Sequence, residues 1–172
     1  MDDKEKSLLT SGVAGFIVVS ILGTLFHYVY EWTGRLWLIG LVFPVNESTW
    51  EHMKLAFFPM LLYGIFMCIY LKKNYPAVCF AVLTGTIVST LMIPIIFYTY
   101  RGVLGFGVTW LDMLTFYLAV LIGVIVEHCM LIKLEDDCKV GTTVMGVVCV
   151  IMAIAFFVFT YNVPGLGIFV AP

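Results

Sequence analysis

The chain has few charged residues, and this scarcity already limits the classes of protein to which it can belong. Asp, Glu, Lys and Arg make up 12% of its 172 residues, whereas hydrophobic residues make up 62%. Soluble domains are typically about 25% charged and about 45–50% apolar. The formal net charge is −2, and a nucleic-acid-binding protein would instead carry a basic surface. The composition excludes a soluble domain and a nucleic-acid-binding protein, and it favours a protein that contacts lipid.

Two motifs that would indicate metal or redox chemistry are also missing from the sequence. Its five cysteines form no C-x-x-C pair, so it offers neither a thiolate zinc site nor a redox dithiol. The paired histidines of H-E-x-x-H, which mark a large class of zinc proteases, are absent as well. Any metal site must therefore be assembled from residues that are separated in the sequence.

Long apolar stretches occupy most of the chain. A helix needs about 20 mostly apolar residues to cross a bilayer, and five segments reach that length. The segments are residues 8–30, 49–71, 76–97, 108–132 and 140–161. The sequence predicts an all-α, polytopic membrane helix bundle with five transmembrane helices, in which residues 1–172 form a single membrane domain.

Basic residues are distributed unequally between the two ends of the predicted spans. The end that includes the amino terminus carries Lys4, Lys6, Lys72, Lys73, Lys133 and Lys139. The opposite end carries only Arg35, Lys54 and Arg101. Because basic loops remain preferentially in the cytoplasm, this distribution predicts a cytoplasmic amino terminus and, after five crossings, a carboxyl terminus outside.

Residues 36–43 are apolar but too short to cross a bilayer. Such a segment either lies in the membrane interface or enters the membrane and returns on the same side. A re-entrant path is tolerated only where the backbone polar groups find partners. The sequence leaves both interpretations open.

Polar and ionisable side chains concentrate at the predicted outer ends of the helices. An ionisable group inside or beside a span is costly to bury, so each one is a candidate for function. His27 and Glu31 are four residues apart and share one face of a helix. The candidate ligand-binding residues of this layer are His27, Glu31, Arg35, Asn46, Glu47, Glu51, His52, Lys54, Arg101 and Asp112.

Helix capping offers a purely structural explanation for two of these carboxylates. Ser48 and Glu51 have the spacing of a capping box, and Thr109 and Asp112 repeat it. The helix dipole also favours negative charge near a helix amino terminus. A structural role therefore stays open for Glu51 and Asp112.

Capping does not explain the two histidines of this layer. Two imidazoles and a carboxylate, with one position left open, form the ligand set of many catalytic zinc sites. Glu31, Glu47 and Glu51 are the carboxylates nearby in the sequence. The predicted metal ligands are His27, His52, Glu31 and Glu51, with Zn²⁺ as the metal, although the sequence does not decide whether a metal is bound.

A second ionisable group lies near the predicted cytoplasmic end of the fourth span, at Glu127 and His128. A buried carboxylate there could serve as a proton site. An ion pair with one of the nearby lysines is the simpler interpretation. The candidates for that pair are Lys72, Lys73 and Lys133.

The residues around His52 carry a recognisable motif. Residues 44–54 read P-V-N-E-S-T-W-E-H-M-K, and residues 26–32, before them, read F-H-Y-V-Y-E-W. This pattern resembles an uncharacterised family of small bacterial integral membrane proteins, a domain of unknown function with the motif P-V-N-E-S-x-W-E-H-x-K. The resemblance covers essentially the whole chain and implies a place in the bacterial cytoplasmic membrane. It implies no activity, but it marks His27 and residues 46–54 as the family's signature.

Three classes of function are compatible with these observations. The first is an outward-facing polar site that binds or transports a small molecule or a lipid. The second is a membrane-embedded, metal-dependent hydrolase or lipid-modifying enzyme. The third is a structural or partner-binding membrane protein. No catalytic residue is assigned, and the lipid bilayer is the one partner that the sequence predicts.

Overall fold

Helices account for the regular structure of this protein. The computed structural model describes residues 3–171, and no strand occurs within that range. The α-helices are α1 (Asp3–Trp32), α2 (Trp37–Gly40), α3 (Thr49–Leu71), α4 (Val78–Leu104), α5 (Thr109–Lys133) and α6 (Lys139–Tyr161). A short 3-10 helix, Gly167–Phe169, follows them. The prediction of an all-α fold is confirmed.

Five of the described helices, α1 and α3 to α6, are long and apolar enough to cross a membrane. Their outward faces carry large apolar side chains, among them Ile69, Val103 and Val140. A soluble protein would leave such continuous apolar faces in water, which is unfavourable. The fold is therefore compatible with a membrane protein whose helices contact the lipid bilayer.

The third predicted span, residues 76–97, corresponds to α4 and is longer in the structure than in the sequence-based prediction. α4 continues to Leu104 and ends at Gly105, whose φ of 77° lies in the left-handed region. The N–H of Gly105 donates to the carbonyl of Arg101 over 2.8 Å. Glycine adopts this conformation without a steric penalty, so it closes the helix here. The extra turns carry Arg101 away from the apolar part of the helix.

α3, α4 and α5 form the centre of the bundle. α4 packs along both α3 and α5, α1 covers α3 and α5, and α6 packs against α4. Gly85 of α4 and Gly123 of α5 meet so closely that a Cβ on either one would lie 2.8 Å from the other's carbonyl oxygen. Small residues at such crossings are typical of helix packing in membranes. They leave room beside the crossing for larger side chains.

The connection between α1 and α3 lies across one end of the bundle. Here α1, α4 and α6 finish and α3 and α5 begin, and we name this the polar end. The hydroxyl of Tyr161, the last residue of α6, donates to the carbonyl of Trp37 in α2 over 2.6 Å. Leu36, Trp37 and Leu38 remain exposed. The choice between an interfacial and a re-entrant path for residues 36–43 stays a prediction.

Candidate functional site

Two histidines and a carboxylate meet at the polar end. His27 lies near the carboxyl end of α1, His52 lies in the first turns of α3, and Glu47 precedes α3 by two residues. His27 Nε2 is 3.5 Å from Glu47 Oε1, and His52 Nε2 is 3.4 Å from Glu47 Oε2. The imidazole ring centroids are 5.4 Å apart. One ligand atom from each of the three residues lies within 4.8 Å of the other two.

The start of α3 sets the position of Glu47. Ser48 is the N-cap, and its hydroxyl oxygen accepts from the N–H of Glu51 over 3.4 Å. The N–H of Ser48 donates to Asn46 Oδ1 over 2.9 Å, which makes an Asx turn. Glu47 is thus held between a turn and a helix cap. The predicted capping box forms only in part, because Asn46 rather than Glu51 accepts from the N–H of Ser48.

A backbone carbonyl orients the imidazole of His52. His52 Nδ1 lies 2.9 Å from the carbonyl oxygen of Ser48. That oxygen can only accept, so Nδ1 carries the proton and donates. In a neutral imidazole, Nε2 then presents a lone pair to the Glu47 carboxylate. Two electron-rich atoms at 3.4 Å repel each other unless a proton or a metal ion lies between them.

Each nitrogen–oxygen distance in the cluster is compatible with a tetrahedral metal, with the two nitrogens facing different oxygens of Glu47. Zn–N and Zn–O bonds of about 2.0–2.2 Å at tetrahedral angles place the nitrogen and oxygen ligands about 3.4 Å apart. The observed separations between nitrogen and oxygen are 3.4 and 3.5 Å. The side chains of His27, His52 and Glu47 are 29%, 31% and 67% exposed. A metal could therefore reach them and would keep an open coordination position.

A cavity of about 340 Å³ adjoins the cluster. His27, Glu47 and His52 lie in its wall, and the remaining wall is largely apolar. The large apolar side chains that line it are Leu55, Ile93, Phe97, Met113 and Phe116. Its volume lies within the range of small-molecule sites, about 300–1,000 Å³. The cavity can hold a molecule that combines an apolar body with a polar group.

Asp112 lines the same cavity but already has partners of its own. Tyr100 donates a short hydrogen bond to one carboxylate oxygen, and Arg101 Nη2 lies 3.2 Å from the other. The Arg101 guanidinium also lies 4.3 Å from the centre of the Phe97 ring. The predicted capping box at Thr109 is wrong, because Val108 is the N-cap and no side chain caps this helix. Asp112 instead joins α5 to the end of α4.

Glu51 and Lys54 form a buried ion pair on α3 with Nζ and Oε2 2.8 Å apart. Lys54 Nζ also donates to the carbonyl of Gly40 over 2.8 Å and to the hydroxyl of Thr160 over 2.5 Å. Glu51 Oε2 accepts from the N–H of Val45 over 3.0 Å. This network fastens the α1–α3 connection and α6 to α3. Sequence reasoning missed Thr160, since a threonine inside an apolar span carries no distinguishing signal.

Glu31 and Arg35 form an exposed pair at the end of α1. Arg35 Nη2 lies 3.0 Å from Glu31 Oε1, and both side chains are more than half exposed. The hydrogen bond that Arg35 donates to the Glu31 carboxylate raises the pKa of the Arg35 guanidinium. Of the four predicted metal ligands, the structure brings His27 and His52 together. Glu31 pairs with Arg35 and Glu51 with Lys54, and it is Glu47 that lies between the imidazoles.

These features define a helical bundle compatible with a membrane protein, with a His–Glu–His cluster beside an apolar cavity. The chain belongs to the family of unknown function DUF6512, whose model matches residues 2–171. No curated protein and no solved structure matches it. Because the family carries no assigned activity, a function must be argued from the geometry of the cluster and the cavity.

Proposed function

We propose that this protein is an integral membrane protein that binds a divalent transition metal, Zn²⁺, through His27, Glu47 and His52. The bound metal helps to hold a small amphiphilic ligand in the adjoining cavity, for binding or for transport. The site faces outward from the cytoplasmic membrane of a bacterium. The observation that carries the proposal is the convergence of two imidazole nitrogens on the two oxygens of one carboxylate.

Donor chemistry supports zinc as the metal. Imidazole nitrogen and carboxylate oxygen are common Zn²⁺ ligands, and three protein ligands leave a fourth position for water or a ligand atom. The carbonyl of Ser48 holds His52 with Nε2 directed at the cluster, and such hydrogen bonds commonly orient metal-binding histidines. An open coordination position beside the cavity would receive the polar group of a ligand.

The cavity wall supports an amphiphilic ligand. Apolar side chains from α3, α4 and α5 line it, so an acyl chain or another apolar body would bury surface there. The polar residues of the wall, including the cluster and Asp112, would contact the head of the same molecule. A lipid or a similar molecule combines both properties.

Basic residues support the proposed orientation, because Lys54 is fully buried in an ion pair and does not act as a loop charge. The polar end is then left with Arg35 and Arg101. The opposite end carries Lys4, Lys6, Lys72, Lys73, Lys133 and Lys139. Since basic loops favour the cytoplasm, the polar end faces outward. The bacterial cytoplasmic membrane follows from the motif resemblance.

Metal analysis of protein purified in detergent and supplied with Zn²⁺ tests this proposal. We expect one zinc ion per chain in the wild type, its loss in His27→Ala and His52→Ala, and a lower zinc content in Glu47→Gln. Glu31→Gln is the matched control, because Glu31 is an exposed carboxylate at the same end that pairs with Arg35. A folded wild type that binds no zinc, or a Glu31→Gln variant that loses zinc equally, would refute the metal site.

Hydrolysis is the second candidate function, because Asp112 lines the same cavity as the metal cluster. A metal-bound water could add to an ester or amide carbonyl in the ligand head. Asp112 would accept the proton of that water and return it to the leaving group. We expect release of a fluorescent product from lipid-ester substrates in the zinc-loaded protein, and its loss in Asp112→Asn with zinc retained. If no ester or amide substrate is cleaved, hydrolysis is rejected and ligand binding or transport remains the proposed function.

A further inference from the structure

A carboxyl group without a partner is buried at the far end of α5 from the metal cluster. Glu127 is only 7% exposed. Within residues 3–171 it forms no ion pair and no side-chain hydrogen bond. The ion pair with Lys72, Lys73 or Lys133, which the sequence favoured, does not form, and all three lysines are exposed. Glu127 therefore needs another explanation.

The close crossing of α4 and α5 creates the space for this side chain. Glu127 Cγ and Oε1 lie where a side chain on Gly85 would be, and Ser89 lies against Gly123. Ser89 is fully buried, and its hydroxyl also has no hydrogen-bond partner among the described residues. Two unpartnered polar side chains thus flank one glycine crossing. A group that is only structural would ordinarily be hydrogen-bonded in such a place.

The charges around Glu127 determine whether its ionised or its protonated form is stable in this environment. An ionised carboxylate inside a bilayer is strongly disfavoured unless a cation or several donors surround it. The titratable groups of α3 that Glu127 influences are the hydroxyl of Tyr63 and the thiol of Cys68, and neither is a cation. His128 follows Glu127 on α5 and lines the same small cavity, but among the described residues it forms no ion pair with Glu127. The neutral, protonated carboxylic acid is the form that this site accepts.

We propose that Glu127 is a proton-binding site, which stays protonated while the surrounding helices exclude water and releases its proton when water reaches it from the adjoining small cavity. This cavity of about 10 Å³ lies between α1, α3 and α5, is lined in part by Gly12, Met67 and Glu127, and has room for about one water molecule. Proton-binding carboxyl groups inside helix bundles are typical of pumps and transporters. The site therefore favours transport over catalysis for the cavity at the polar end.

The proton site is separate from the metal cluster. Asp112, which lines the cavity at the polar end, precedes Glu127 by 15 residues, a distance of about 22 Å along a helix. α4 and α5 enclose both the cavity and the proton site. Phe97 and Phe116 of these helices line the cavity, and Gly85 and Gly123 form the crossing beside Glu127. The proton site does not require zinc, so the two proposals can fail independently.

Infrared difference spectroscopy of the protein reconstituted in lipid tests the proton site directly. A protonated carboxylic acid has a carbonyl band that an ionised carboxylate lacks. We expect this band at neutral pH and its loss at alkaline pH, in the wild type and in Glu135→Gln. Glu135 is the matched control because it is an exposed glutamate that follows α5. The band should be absent from Glu127→Gln at neutral and alkaline pH, where the exposed carboxylates are ionised.

Two further measurements make the outcome decisive. Glu127→Gln should keep its zinc content and its unfolding temperature, which separates loss of the proton site from misfolding. If that variant does not fold, the band is tested in wild-type protein whose glutamate carboxyl groups are labelled with ¹³C. The label should shift the band, because the band comes from a glutamate. An unshifted band, no band at neutral pH, or a band that sodium rather than alkali removes would each overturn the proton site.

Discussion

At the scale of single residues, the partner of each carboxylate at the polar end decides its role. Glu31 is paired with Arg35 in solvent, and Glu51 is paired with Lys54 in the interior. Glu47 faces only two imidazoles, which can be neutral. A carboxylate without a permanent cation is the one available to a metal ion. Glu47 is therefore the candidate metal ligand, whereas Glu31 and Glu51 have structural roles. All three are glutamates, so the difference comes from the side chains around them.

Metal affinity should fall as the pH is lowered from neutral. Zn²⁺ binds the deprotonated imidazole nitrogen, so protons compete with the metal for His27 and His52. Competition with a zinc-sensitive dye at several pH values measures the effect. Glu47→Gln should bind zinc more weakly but keep the same direction of pH dependence, because both histidines remain. An affinity that does not change on acidification would exclude the histidines as ligands.

Replacement of Lys54 by methionine should destabilise the protein strongly. The change leaves Glu51 buried without its cation, and removal of one partner of a buried pair costs about 3–5 kcal/mol. Thermal and denaturant unfolding in detergent measure the loss. Arg35→Met is the control and should change stability little, because its ion pair is exposed to solvent.

The same experiment has an internal check. The double variant Glu51→Leu with Lys54→Met removes both charges together and should recover much of the lost stability, since apolar replacements of a buried pair are often neutral. Equal stability of Lys54→Met and the wild type would show that the network of Glu51, Lys54 and Thr160 does not hold α6 to α3.

At the scale of helices, glycine residues set how closely the elements approach. Gly23 of α1 faces α3 and α5 at a point where no side chain fits. A Cβ there would lie 2.6 Å from the carbonyl oxygen of Leu55 and against the Phe116 ring. Leu55 and Phe116 both line the cavity. The approach of α1 at Gly23 therefore helps to shape the candidate ligand site.

Gly23→Ala should destabilise the bundle by about 1–3 kcal/mol, because the added methyl group forces α1 away from a backbone oxygen. Gly146→Ala is the matched control on α6, where the nearest side-chain atom to a new Cβ is Leu83 Cδ1 at 4.0 Å. That change should be neutral or stabilising by about 0.5–1 kcal/mol, since alanine favours the helix. Unfolding midpoints compare the two, and equal effects would contradict the close packing at Gly23.

At the scale of the whole molecule, the helices are buried to unequal extents. α3 is the most buried of the five candidate spans, whereas only 11% of an 18-residue apolar stretch of α6 is buried within the chain. α6 is nevertheless held at the polar end, where Thr160 and Tyr161 bond to Lys54 and Trp37. The remaining surface of α6 is apolar and suited to lipid.

Reporter fusions should place the two termini on opposite sides of the membrane. We expect alkaline phosphatase to be active when fused to the carboxyl terminus and inactive at the amino terminus, because the basic residues favour a cytoplasmic amino terminus. A fluorescent protein that folds only in the cytoplasm should give the opposite pattern. The reversed result would place the His–Glu–His cluster on the cytoplasmic side.

The class of fold, and the end of the bundle at which the polar residues gather, could be predicted from the amino-acid sequence. Both depend on properties that are local in the chain. A run of apolar side chains is long enough to span a bilayer whatever surrounds it, and a short polar connection must join consecutive spans. His27 and His52 were recognisable for the same reason, since each is an ionisable group beside an apolar run.

Only the tertiary structure decided which groups meet. Glu47 and Glu51 are four residues apart and chemically identical, yet one faces the histidines and the other is buried against Lys54. The path of the α1–α3 connection determines which of the two glutamates faces the histidines. That path depends on the bond between Lys54 and Thr160, which lie 106 residues apart in the sequence. Likewise, the close crossing at Gly85 and Gly123 provides the space in which Glu127 is buried. Such pairings arise from packing between distant elements, and no local pattern encodes them.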